Sequence, residues 1–165
     1  MRYLCFFSVV LALLLSCQTN TKTEQVDLAA AKNAVNTQMD NFYQAYKARD
    51  IDAIGNILAD DGLYCGTDPG EFWSKEKLLK LYARMFSNES LDINYSIDKR
   101  EIRLDADGNS AIIVEQGISN PISKKIPYRG IYHCMKIGDD WKIDFTSLSL
   151  IPKNADLAKL NKAIE

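Results

Sequence analysis

Asp68 and Glu71 stand three residues apart in Thr67-Asp68-Pro69-Gly70-Glu71-Phe72-Trp73. Two carboxylates at that spacing could serve as a general base and its orienter, or hold a cation. The competing reading is an Asx-type turn at Asp68-Pro69-Gly70, with Glu71 solvated or paired to a lysine. Tyr132, in Ile131-Tyr132-His133, offers a phenolic hydroxyl that could donate to a developing oxyanion. His133 is the chain's only histidine. Any Ser-His-Asp chemistry would hang on it, and a multi-histidine metal site is excluded. Asp105-x-Asp107-Gly108 hints at a calcium loop. With Gly108 as the turn glycine, however, the first ligand position would be Arg103 and the last Val114, and neither supplies a carboxylate. Cys65 and Cys134 lack a second cluster of metal ligands. Neither a Gly-rich phosphate loop nor a G-x-S-x-G elbow occurs. No metal and no cofactor are expected.

The whole chain narrows the field further. Its 165 residues suit one domain with one core. Hydrophobic residues make up 47% and charged residues 25%, a globular composition. Twenty basic residues against twenty-two acidic ones give a net charge of -2, which argues against a nucleic-acid partner.

Residues 1–16 read as a signal peptide: Arg2 precedes an apolar run that ends at Leu15. The run is shorter than the roughly 20 residues that a spanning helix needs. Its end, Leu14-Leu15-Ser16-Cys17, resembles the lipobox of bacterial lipoproteins. That resemblance implies cleavage before Cys17, acylation of its thiol, and a membrane anchor in the cell envelope. Gln18 follows the cysteine rather than the Asp that would retain the protein at the inner membrane, so the outer membrane is the expected site. Residues 17–25 are polar and without periodicity, as a flexible tether would be. Several acyl chains would hold firmly where one binds marginally.

The elements that must position the candidate groups follow from periodicity. Val35, Met39, Phe42 and Tyr46 recur at helical spacing within residues 26–49. Asp50 caps a second, short helix that buries Ile51, Ile54 and Leu58. Asp60-Asp61-Gly62 reads as a turn and residues 63–66 as a short strand. Ser74 caps a third helix, 75–87, with Leu78, Leu79, Tyr82, Met85 and Phe86 as its apolar stripe. Strands follow over 93–104, 111–119, 126–137 and 141–151, with a phase flip between Asp98 and Glu101 that calls for a bulge. Residues 152–165 form a tail with a terminal helix. The strand phases put Cys65 and Cys134 on opposite sheet faces, which predicts two free thiols. The fold class is α+β: a curved, mostly antiparallel sheet wrapped around three N-terminal helices, a cone over residues 26–151 with a cavity at its wide end.

At three places the chain resembles the SnoaL-like families of the NTF2-like (cystatin-like) superfamily. They are the helix junction Ala48-Arg49-Asp50-Ile51-Asp52 with Asp60-Asp61, the loop Gly66-Thr67-Asp68-Pro69-Gly70-Glu71-Phe72-Trp73, and the turn Gly138-Asp139-Asp140-Trp141. The resemblance implies an open pocket and, often, a homodimer through the outer sheet face. In that superfamily's steroid-isomerase branch, a helix-1 tyrosine donor would fall at Phe42 and a carboxylate base at Gly66. The branch's protonated acid would fall at Tyr132, so one of its three roles survives. The pocket histidine of many relatives falls at Ser147.

The resemblance also implies which residues line the pocket. Phe42, Tyr46, Tyr64, Tyr128, Tyr132, Phe145 and Ser147 are expected to face the cavity, with Trp73, Tyr82 and Phe86 closing its rim. Such a lining is aromatic, with hydroxyls and few charges, and suits a small, partly apolar ligand. The leading expectation is an anchored binding protein for a small molecule or a protein partner. The alternative is a cyclase, isomerase or dehydratase with Asp68 or Glu71 as base and Tyr132 as donor. His133, Arg129 and Asp144 are expected on the outer face.

Overall fold

A computed structural model describes residues 26–164. The expected signal peptide, the tether over residues 17–25 and the lipidation site Cys17 lie outside the described residues. Helix α1, Leu28–Ala48, starts where the Asp27 carboxylate accepts from the Ala30 amide at 2.9 Å. It buries Val35, Met39, Phe42, Tyr43 and Ala45. It ends at Arg49, which holds a left-handed φ of 58° and sends its guanidinium to the carbonyls of Phe86, Asn88 and Leu91. Asp50 then caps α2, Ile51–Ile57, through the Ala53 amide, as the sequence predicts. Ser74 likewise caps α3, Lys75–Phe86.

One six-stranded sheet runs in the order β2-β1-β6-β5-β4-β3. Its members are β1 Leu58–Cys65, β2 Phe72–Trp73, β3 Tyr95–Leu104, β4 Ser110–Ser119, β5 Ser123–Ile137 and β6 Asp140–Leu150. All neighbours are antiparallel except β1 and β6, which are parallel. Helix α4, Leu157–Ile164, follows a single 3-10 turn and buries no residue. The core lies between the helices and the inner sheet face. Val35, Met39, Ile54, Ile113 and Ile143 have no exposed surface there. Each such side chain contributes about 1.5–3 kcal/mol of hydrophobic stabilisation.

The expected bulge in the third strand falls at Asp98, skipped where the pairing passes from Ile97 to Lys99. Leu58, expected on the second helix, opens β1 instead, and two places that shape the sheet also differ from the sequence reading. Asp60-Asp61-Gly62 is not a turn but an irregular stretch inside β1, where pairing with β6 jumps from Leu58 to Leu63. Gly62 makes this possible. A Cβ there would stand 2.2 Å from the Tyr64 hydroxyl, which folds back to share its single proton between the carbonyls of Ala59 and Ile143, each at 2.9 Å. The second difference is in β6. Cys134 pairs with Ile143 and His133 with Phe145, so Asp144 is an extra residue. The strand phase reverses after it. Cys65 and Cys134 are both free thiols.

Candidate functional site

The concave side of the sheet and the helices enclose a cavity of about 350 Å³. Helix α1 supplies Phe42, Tyr43 and Tyr46, and α3 supplies Leu78, Leu81, Tyr82 and Met85. The β1–β2 connection adds Gly66, Thr67, Glu71 and Trp73. On the sheet, Tyr128 and Tyr132 project from β5, and Thr146, Leu148 and Leu150 from β6. The aromatic wall holds itself in place by edge and face contacts. Tyr46 meets Tyr82 and Phe86 edge-on, and Tyr82 stacks on Phe86 at 5.7 Å.

Among the residues expected to line this space, Phe42, Tyr46, Trp73, Tyr82, Tyr128 and Tyr132 do so. Four do not. Tyr64 lies beneath the floor with its hydroxyl tied to two backbone carbonyls. Phe86 backs Tyr82 from behind. Phe145 and Ser147 point to the outer face, because the extra residue at Asp144 hands the inner positions to Thr146, Leu148 and Leu150.

Asp68 is exposed and accepts from the Gly70 amide at 3.1 Å, an Asx turn that keeps it out of the lining. Glu71 is different. Its Oε2 accepts from the amides of Thr67 and Asp68 at 2.8 and 2.9 Å, and the residue reaches the cavity wall. Gly66 makes room for it, since a Cβ there would stand 2.1 Å from that same oxygen.

The sequence reading missed a buried polar group. Glu115, on β4, has no exposed surface. The Tyr43 hydroxyl donates to its Oε2, and Arg100 Nε donates to its Oε1 at 2.5 Å. Arg100, 14% exposed, also donates to Asp40 Oδ1 at 2.6 Å and to Asn36 Oδ1 at 2.8 Å. The Tyr43 oxygen lies 3.0 Å from the Tyr132 oxygen and 3.2 Å from that of Tyr128. A continuous polar chain thus runs from the cavity wall, through Tyr43 and Glu115, to a groove containing Asn36, Asp40 and Arg100. Burial pushes the Glu115 carboxyl up, while its bonds from Tyr43 and Arg100 pull the other way. Burial also pushes the Tyr43 and Tyr132 hydroxyls far up, and the Tyr128 hydroxyl to about 12.

A signal for this group exists in the sequence. Ala111, Ile113 and Glu115 alternate on one face of β4, and Arg100 shares the inner phase of Ile102 and Leu104. An acid and a base in register with core residues on adjacent strands predict a buried pair. In the sheet Arg100 stands directly across from Glu115.

His133 lies across the sheet from the cavity. Its Nδ1 is 2.6 Å from Asp144 Oδ1 and its Nε2 is 2.9 Å from Ser110 Oγ. Among the described residues no group of three or more His, Cys, Asp or Glu side chains gathers as a metal site would require.

The cone of helices on a bent sheet, open at one end onto an aromatic cavity, defines a protein of the NTF2-like, cystatin-like class. The SnoaL-like domain family matches residues 35–153, and the chain belongs to that family. Solved structures agree on the fold. An uncharacterised protein with a cystatin-like fold from Caulobacter vibrioides superimposes with a TM-score of 0.66 at 14% identity, covering 82% of this chain and 98% of that one. An NTF2-like protein from Cytophaga hutchinsonii gives 0.59 at 16% identity, covering 73% and 98%. An NTF2-like protein of unknown function from Pseudomonas putida gives 0.60 at 15% identity, covering 77% and 92%. No curated protein matches the sequence.

Proposed function

We propose that the protein is an envelope-anchored binding protein whose cone cavity holds a small, largely apolar molecule with one polar end. The observation that carries this reading is the pairing of a mostly apolar, aromatic wall with a cluster of converging hydroxyls, those of Tyr128 and Tyr132 backed by Tyr43 and Glu115. The volume suits a ligand of one to three rings or a short acyl chain. The test compares the wild-type protein with Leu148→Trp, which fills the cavity from β6. Organic extraction of the purified wild type, read by mass spectrometry, is expected to yield a species that the variant lacks. Identical extracts would overturn the reading.

The anchor is acylated Cys17, supported by the apolar run and the Leu-Leu-Ser-Cys ending, with outer-membrane placement. Cys17→Ser is expected to release the protein from the membrane fraction, and retention there would defeat the claim. Pairing of two copies through the outer sheet face is supported by the exposure of Leu63, Ile112 and Ile131 there. Light scattering that finds a monomer at high concentration would count against it.

A second reading is an enzyme that moves a proton in the cavity. Glu71 favours it: the carboxylate rests over Gly66 and faces the same space as Tyr132. Asp68 does not contribute, being tied in its own turn. Turnover of a carbonyl-activated substrate that is lost in Glu71→Gln with ligand retention unchanged would select this reading over simple binding.

A further inference from the structure

We infer that the Tyr128–Tyr132 end of the cavity presents hydrogen-bond acceptors only, so that the group it holds is a donor: an alcohol, a phenol or an amine N–H, not a carbonyl or a carboxylate. This rests on the reading of the cavity as a ligand site and names the chemistry of its ligand.

The number of available protons fixes the polarity of this end. An ionised carboxylate offers lone pairs and nothing else. Glu115 sits against the Arg100 guanidinium, whose Nε donates to Oε1 at 2.5 Å, so its charge has a fixed counter-charge. Oε2 then requires a donor, and the Tyr43 hydroxyl is the one in place. A phenol has one proton, and that of Tyr43 is thereby committed. Its oxygen keeps two lone pairs and has two hydroxyl neighbours, Tyr132 at 3.0 Å and Tyr128 at 3.2 Å. Neither contact can be a bond from Tyr43, so each neighbour donates to it. A bond between the Tyr128 and Tyr132 hydroxyls, in either direction, commits the donor's proton within the cluster as well and leaves the other hydroxyl to donate to Tyr43. All three hydroxyl protons thus point inward, towards Glu115. What Tyr128 and Tyr132 turn to the cavity is lone pairs.

A carbonyl set against them would meet oxygen with oxygen. To receive a proton it would have to break one bond of the cluster. The Glu115–Arg100 pair therefore fixes the polarity of a subsite that neither residue touches. The role of Tyr132 as donor to a ligand, expected for an enzyme of this class, is inverted by its neighbours.

Three probes of one shape test this: 2-naphthol, which donates, and 2-methoxynaphthalene and 2-acetylnaphthalene, which only accept. Wild-type protein is expected to bind 2-naphthol at least about tenfold more tightly than either of the others, the size of one hydrogen bond made or lost. The hydroxyls of Tyr46, Tyr82 and Thr146 also line the cavity, so the decisive comparison is with Tyr43→Phe. That variant removes the inner acceptor and turns at least one proton outward, and the preference should shrink or reverse. Should Tyr43→Phe fail to fold, Tyr132→Phe serves: 2-naphthol should weaken while 2-methoxynaphthalene holds. Equal or tighter binding of the acceptor-only probes by wild type would overturn the inference and leave the cavity as a binding site. Binding of none of the three would overturn the cavity reading itself, and the inference with it.

Discussion

His133 and Asp144 are joined across β5 and β6, Nδ1 to Oδ1 at 2.6 Å, at the point where β6 carries one residue too many. Asp144 and Phe145 both stand opposite His133, on the outer face. The ring is held from its other side by Ser110 Oγ at 2.9 Å. This clasp keeps Asp144 outward beside Phe145, and so returns Thr146 to the inner face. The cavity's sheet wall therefore depends on a contact made on the opposite face of the sheet.

The phase reversal is directly testable. Thr146→Trp should obstruct the cavity, whereas Ser147→Trp should leave ligand capture intact, because its side chain leaves by the outer face. Retention of an apolar fluorescent probe such as 2-naphthol reads both variants. Loss of binding in Ser147→Trp with retention in Thr146→Trp would restore the uninterrupted alternation and refute the bulge.

The buried ion pair sets the second expectation. Glu115→Ala leaves Arg100 with a guanidinium that is only 14% exposed and one carboxylate fewer, and it strands the Tyr43 hydroxyl. Breaking a buried pair in this way costs about 3–5 kcal/mol. Replacing both partners, Arg100→Met with Glu115→Leu, should recover most of that loss, because no uncompensated charge remains. Urea denaturation measures both. A loss under about 1 kcal/mol in the single variant would mean that the pair is not buried in solution.

How much of this was legible from sequence depends on how local the signal is. The caps at Asp50 and Ser74 act within three residues, and both helices begin where those residues predict. The bulge at Asp98 could be read because apolar residues on its two sides, Tyr95 and Ile97 against Ile102 and Leu104, cannot share one uninterrupted phase. At Asp144 the same logic fails. Ile143 and Phe145 continue one alternation, while Leu148 and Leu150 offer an equally apolar second one, and hydrophobicity does not choose between them. Tertiary contact chooses, through His133. Gly62 misled for a related reason: in sequence Asp-Asp-Gly reads as a turn, but the glycine is there to admit the Tyr64 hydroxyl. Glu115 was open to detection, because an acid in phase with Ala111 and Ile113 belongs to the inner face.

Gly130 offers a way to disturb Tyr132 without altering it. The ring of Tyr132 folds back over this glycine, and a Cβ there would stand 2.7 Å from its Cε2 and 2.8 Å from its hydroxyl. The hydroxyl is held by Tyr43, so the ring cannot yield without losing that bond. Gly130→Ala should cost about 1–3 kcal/mol, as overpacking does, and should weaken ligand capture although residue 130 lies outside the cavity lining. Thermal unfolding and probe titration read the two effects. A variant that matches wild type in both would mean that the ring has another resting place.

The tyrosines make a prediction about alkaline pH. Every tyrosine among the described residues is held above its ordinary value, and for each one burial is the leading cause. For Tyr46 and Tyr128 the hydroxyl is pushed up to about 12. The sign follows from which state holds the proton more firmly. Near pH 10, where an unfolded tyrosine begins to ionise, the folded one still keeps its proton. Stability from these groups is complete below about pH 10 and is lost as the pH rises towards 12, because the unfolded chain then releases protons that the fold retains. Absorbance at the tyrosinate band should therefore stay low past pH 10 and rise in one cooperative step coincident with loss of the far-ultraviolet helix signal. Tyr128→Phe removes one contributor and should make the fall in stability with pH shallower. A graded rise centred near pH 10 with the helix signal intact would place these hydroxyls in water, and the cavity wall would not be the closed aromatic surface that the hydrogen bonds to Tyr43 require.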